Sequence, residues 1–204
     1  MSDQTNIHED ISYLRNLAES GRNGPVLGGV FLVAAGLVFG LASVISWAVR
    51  EGLLPIKGWV ELYLWLGASA VFAVFWVAAF LRLVRHKQAA ATATNSAFGT
   101  IWGACGIGVM VVFATTLIIA DRLHAPIVLN GYLPVIFSFY GSAWFASAAL
   151  ARRRWMFVAA AGSFAFSFLV ALLAENHMQG LAMGMGLILL LSLPGLKLMS
   201  DTRR

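Results

Sequence analysis

Charge is what this sequence has least of. Only 11% of its 204 residues are Asp, Glu, Lys or Arg, against about 25% in an ordinary soluble domain. With 60% of residues hydrophobic and a mean hydropathy of +0.81, such a chain cannot cover itself with polar surface in water. It reads as an integral membrane protein.

Other scarcities narrow the chemistry. The one cysteine, Cys105, lies in an apolar stretch, so no internal disulfide framework is possible. No Asp, Glu, Lys, Arg or His falls near the middle of any long apolar segment; Glu61, Asp121 and Arg122 sit close to segment ends. Proton relays, ion-coupled sites and voltage sensors use intramembrane ionisable residues, so a carrier built on one is disfavoured. Haem between helices wants facing histidines within the spans. His86, His124 and His177 stand at segment margins and His8 near the start, so no haem or other cofactor is expected. Gly-x-Ser-x-Gly, His-Glu-x-x-His and phosphate-loop patterns are missing. Strand-like alternation is missing too, which excludes an outer-membrane barrel.

What is present is apolar length. Six segments, at 26–49, 59–81, 97–120, 130–151, 155–174 and 178–196, each come near the roughly 20 residues a spanning helix needs. The expected fold class is all-α, with six transmembrane helices as three antiparallel hairpins. The chain divides into a polar segment 1–24, a six-helix domain 25–197 and a tail 198–204.

Between the fourth and fifth segments stand Arg152, Arg153 and Arg154, a tight basic connection that anchors the topology. With the remaining connections threaded accordingly, eleven of the 14 cations fall on one side, and only Arg50, Lys57 and Arg122 on the other. That asymmetry predicts both termini in the cytoplasm. It also accounts for the net charge of +5 without a nucleic-acid partner. Compactness and the lack of a targeting segment point to a bacterial inner membrane.

Within 1–24, Ile7, Ile11, Leu14 and Ala18 recur at helical spacing, Asn6 and Glu9 fit a capping box, and Gly21 and Pro25 supply a stop. The polar face of this short amphipathic helix carries Glu9, Asp10 and Glu19 against Arg15, which does not suit anionic lipid. It would dock beneath the basic side of its own bundle, meet a cytoplasmic protein partner, or lie loosely at the interface. In the connection 86–96, alanines would prolong the second helix until Asn95 or Ser96 caps the third.

Three groups of residues are candidates for function. Gly36 and Gly40, Gly99 and Gly103, and Gly180 and Gly184 are Gly-x-x-x-Gly pairs, suited to close packing within the chain or to a homo-oligomer contact. Pro134 early in the fourth segment and Pro194 late in the sixth would either sit harmlessly in terminal turns or break their helices. A broken helix would frame a path lined by Pro134, Ser138, Tyr140 and Ser142. Asp121, His124, Glu175 and His177 share one side and carry groups that hold metals or move protons. Charged helix ends are ordinarily just solvated boundaries, and no metal is predicted there.

Three functions follow. One is a non-catalytic sensor, regulator or assembly partner, acting through helix packing and its amino-terminal helix, with the lipid bilayer and either a second copy or a cytoplasmic protein as partners. The alternative is a small oligomeric transporter or channel for a neutral or apolar solute. A membrane enzyme or metal site at the Asp121 margin is the third.

Overall fold

Every regular element among the described residues is helical. The computed structural model describes residues 28–55, 60–85 and 93–201. They form α1 (Gly29–Arg50), α2 (Val60–Arg85), α3 (Ala93–Arg122), a 3-10 segment (Pro126–Gly131), α4 (Tyr132–Ala151), α5 (Arg154–Leu172), α6 (Gln179–Leu187), a π-helical segment (Ile188–Ser192) and α7 (Leu193–Asp201). The last three run on without a break as one sixth span, Gln179–Asp201. Among the described residues six helices are thus long and apolar enough to cross a bilayer, and the protein is membrane-embedded. The amphipathic helix expected around Ile7 to Ala18 lies outside the described residues.

Two boundaries differ from expectation, each for a local reason. Asn95 and Ser96 do not cap α3, because the helix already includes Ala93 and Thr94; alanine costs nothing in a helix, so the coil extends backwards through it. At 30 residues, α3 is about 45 Å long and exceeds the hydrocarbon thickness. In the sixth span the helix passes through Pro194 and reaches Asp201, so most of the expected tail is helical.

Three helices, α1, α3 and α4, end at left-handed residues. Gly52 closes α1 with φ +70°, where the N–H of Gly52 donates to Val49 and that of Leu53 to Ala48. His124 closes α3 in the same way at φ +50°, with its own N–H donating to Asp121 and that of Ala125 to Ala120. This six-to-one bonding satisfies carbonyls that the helix end would otherwise leave free. Arg152 (φ +52°) ends α4, and Glu175 (φ +65°) shapes the turn after α5.

Packing pairs the spans unequally. The sixth span lies along α1, and the two backbones approach through glycine. A β-carbon added to Gly184 would stand 2.7 Å from the Gly40 carbonyl oxygen, and one added to Gly29 would stand 2.6 Å from that of Gly195. Gly36 faces the Ser192 hydroxyl, with the Leu187 carbonyl 2.8 Å from its missing β-carbon. Ser43 Oγ donates to the Gly180 carbonyl at 2.9 Å and Ser192 Oγ to that of Val33 at 3.3 Å, so the seam is hydrogen-bonded near both ends. Small residues are what such an approach requires, since lipid supplies no hydrophobic drive between helices.

The second close pair is α4 with α5, around Phe137, Trp144, Met156 and Val170, all fully buried. Leu191 and Leu198 of the sixth span close this core from the α1 side. On its outer flank α3 packs against α4, with Trp102 edge-on to Trp144 at 5.0 Å between ring centres. α2 leans on α1 through Phe39–Phe72 and Phe31–Phe75. None of the α2 window Val60–Ala79 is buried, against 44% for the sixth span. α2 and much of α3 therefore present their apolar side chains outward.

Candidate functional site

The polar interior gathers around two of the five prolines, Pro134 and Pro194. A proline within a helix has no N–H for the carbonyl four residues back, and its ring crowds that carbonyl. For Pro194 the affected carbonyl belongs to Leu190, in the middle of the π segment. The helix widens there, with the Leu193 N–H reaching back five residues to Ile188. Leu190 oxygen accepts instead from the indole Nε1 of Trp144, across the span interface at 2.9 Å. Pro194 therefore does not sit in a harmless last turn: it reshapes the span, and a fully buried side chain of another helix completes the bonding.

Pro134 differs: it is the third residue of α4, in the first turn, where a missing N–H costs little. The carbonyl four residues back belongs to Asn130, and it accepts from the Gln179 side-chain amide at 3.4 Å. The same Nε2 donates at 3.1 Å to the Val170 carbonyl in the last turn of α5. No backbone N–H of the following turn reaches Val170, because those of Leu173 and Ala174 go to Leu169 and Ala171. Gln179, buried at 6% exposure, thus serves two backbone acceptors. One buried amide joins the ends of three spans, and a buried polar group with partners costs far less than one left unpaired.

The candidate path residues do not line one path. Positions two apart on a helix point to opposite sides, so Tyr140 cannot share a face with Ser138 and Ser142. Ser138 faces α5, where its hydroxyl lies 2.9 Å from that of Ser167, and Ser167 donates at 2.8 Å to the Pro134 carbonyl. Tyr140 lies on the α3 side, against Trp102 and Phe137. Ser142 is exposed and bonds the Ser138 carbonyl of its own helix. The carbonyls that a broken helix would offer to a solute are already occupied by Gln179, Trp144 and Ser167.

The four polar residues at the span ends are not assembled into a centre either. Asp121, His124, Glu175 and His177 are all exposed, and among the described residues no group of three or more His, Cys, Asp or Glu is placed to hold a metal ion. The left-handed conformation of His124 and Glu175 gives each a turn-forming role. For His124, whose motif is the one Gly52 forms at the end of α1, His124→Gly is expected to keep the fold. It should raise stability by about 1 kcal/mol, the order of the left-handed penalty for a residue with a β-carbon. A thermal melt of the purified protein checks this; a drop would mean that the imidazole makes a contact of its own.

One ionic cluster does form, between α1 and α2. Glu61 Oε1 accepts from Arg50 Nε at 3.0 Å and also from Arg50 NH2 and Ser46 Oγ. It ties the first turn of α2 to the last of α1, where α2 has little else to hold it. The carboxylate is thereby neutralised and engaged, which suits a latch better than an acid or base.

Neither Gln179 nor Trp144 is recognisable as important from its own sequence neighbours. Counting back four residues from each proline identifies the acceptor that needs help, but the donor comes from a distant span. Comparison with protein-family models, curated proteins and solved structures finds no match to this chain.

Proposed function

We propose that this protein is a non-catalytic membrane protein, a sensor, regulator or assembly partner that works by packing its outward helices against another protein chain. The observation that carries the reading is the difference between its glycine pairs. Gly36, Gly40, Gly180 and Gly184 are used inside the chain, whereas among the described residues nothing lies within 4 Å of where a β-carbon on Gly99, Gly103 or Gly106 would be. That face of α3 continues into exposed Ile107 and Met110. Small residues followed by apolar bulk form a surface on which a second helix backbone can come close.

The reading includes a threading with both termini in the cytoplasm and localisation to a bacterial inner membrane, supported by the cation asymmetry of the loops. Consecutive spans form three antiparallel hairpins, supported by Phe39–Phe72 in the first, Phe113–Tyr132 in the second and the Arg153–Asp201 pair closing the third. The partner is a second copy or a protein met through the cytoplasmic amino-terminal segment.

Gly103→Leu separates assembly from folding. Its β-carbon meets open space, so the thermal stability of the single chain should move by no more than about 0.5 kcal/mol. Mass measurement in lipid nanodiscs should find more than one chain in the wild-type particle and one in the variant. A single chain in both, or an unchanged assembly in the variant, would remove α3 from the proposal.

A further inference from the structure

We propose that the connection between α4 and α5 binds the phosphate of an anionic phospholipid headgroup through Arg152 and Arg154. The three arginines are not equivalent in the folded chain. Arg153 is half-buried and donates to Asp201 at 2.6 Å, pinning the start of α5 to the end of α7. Arg152 and Arg154 are exposed, and neither has an ion-pair or hydrogen-bond partner among the described residues.

The two differ in setting: Arg152 caps the carboxyl end of α4, where a cation is favoured, whereas Arg154 stands where positive charge is added to positive charge. Arg154 is the first residue of α5, a 19-residue helix with no acid in its first turn and no side-chain cap. The amino end of a helix carries partial positive charge, so a cation there raises the local potential where an acid would ordinarily lower it. Nearby Lys197 does not offset this; its ammonium stands 4.8 Å over the ring of Trp155. Tryptophan and lysine paired beside the ends of two spans mark headgroup depth. An anion at that depth would meet the guanidinium groups of Arg152 and Arg154, which have no side-chain partner among the described residues and are each able to take a phosphate oxygen pair in a planar fork. This inference requires only that the protein be membrane-embedded, and stands apart from the partner assigned to α3.

The test uses the purified full-length chain in a neutral detergent, titrated with phosphatidylglycerol or with phosphatidylcholine of the same acyl chains. Binding is read by native mass spectrometry and by melting temperature. A basic residue near a lipid surface is worth about fivefold in affinity for anionic lipid. The wild-type protein should therefore prefer phosphatidylglycerol by roughly 20-fold, and Arg152→Gln with Arg154→Gln should reduce that preference to near parity. Arg122→Gln, which removes an exposed cation from the opposite end of the bundle, should leave it intact. Arg153→Gln should lower the melting temperature in both lipids while keeping the preference.

Equal affinity of the wild type for the two lipids overturns the proposal. So does an equal loss in Arg122→Gln, which would make the effect one of total charge. Sodium phosphate at millimolar concentration reproducing the full shift would reassign the site to a free anion and overturn the lipid as its source.

Discussion

Gly184→Leu is expected to cost ~3 kcal/mol, the upper part of the usual overpacking range, and to abolish the folded state if the bundle's margin is smaller than that. The new β-carbon would lie 2.7 Å from the Gly40 carbonyl oxygen and 2.6 Å from Val44 Cγ2. A flexible side chain can swing away from such a clash, but a backbone carbonyl held inside α1 cannot. The sixth span would have to withdraw from α1. Withdrawal takes with it the Ser43 bond to Gly180 and the Ser192 bond to Val33, which depend on the same closeness.

Gly40→Leu should fail similarly, since its β-carbon would meet Ile188 Cγ1 at 2.7 Å and the Gly184 carbonyl at 3.0 Å. Leucine at Gly180 should be tolerated better, because its nearest neighbour, Trp47 Cβ, stands 3.4 Å away. Thermal unfolding in one detergent ranks the three against the wild type. Equal stability of Gly184→Leu and the wild type would show that the α1 seam is looser than the geometry given above.

The ranking also bears on how far this fold is legible in sequence. Bilayer thickness imposes a length on every span, and six apolar runs of that length are visible without any partner. The partner of each span is not visible. Gly36 and Gly40 have the same spacing as Gly99 and Gly103, yet the first pair meets the sixth span and the second meets none of the described residues. What decides between them is helix rotation, which the glycines themselves do not encode.

The polar residues divide likewise. Asp121, His124, Glu175 and His177 are conspicuous because they are charged or titratable and stand together at the span ends, but exposure and turn conformation account for their positions. Histidine belongs to the residues enriched in left-handed conformations. The side chains with the most demanding work, Gln179 and Trp144, look like ordinary members of apolar stretches. Their roles exist only once two helices are side by side. Arg153 differs from its neighbours for the same reason: Asp201, its partner, lies 48 residues away.

Trp144→Phe should cost about 2 kcal/mol in the wild-type background and markedly less in a Pro194→Ala background. Two losses occur together in the single variant. The indole gives way to a smaller ring in a fully buried position between Trp102 and Trp155, and the Leu190 carbonyl loses its 2.9 Å donor. The first loss is common to both backgrounds. The second depends on the proline, because an alanine at 194 restores an N–H four residues beyond Leu190 and the helix can supply its own donor. A buried acceptor left unsatisfied costs about 1–3 kcal/mol, so the coupling in a double-mutant cycle should be about 1–2 kcal/mol.

Pro194→Ala by itself changes the segment's shape. With the ring gone, Ile188–Ser192 is free to tighten from π to α geometry, which turns Gly195 and Asp201 relative to Gly184. The Gly29–Gly195 contact and the Arg153–Asp201 pair sit beyond that point and would both report the rotation. Cross-linking of cysteines placed at Arg153 and Asp201 should therefore weaken in Pro194→Ala while cross-linking at Ser43 and Gly180 is kept. Additive effects of Trp144→Phe and Pro194→Ala, within about 0.3 kcal/mol, would mean that the indole and the proline do not share the Leu190 carbonyl.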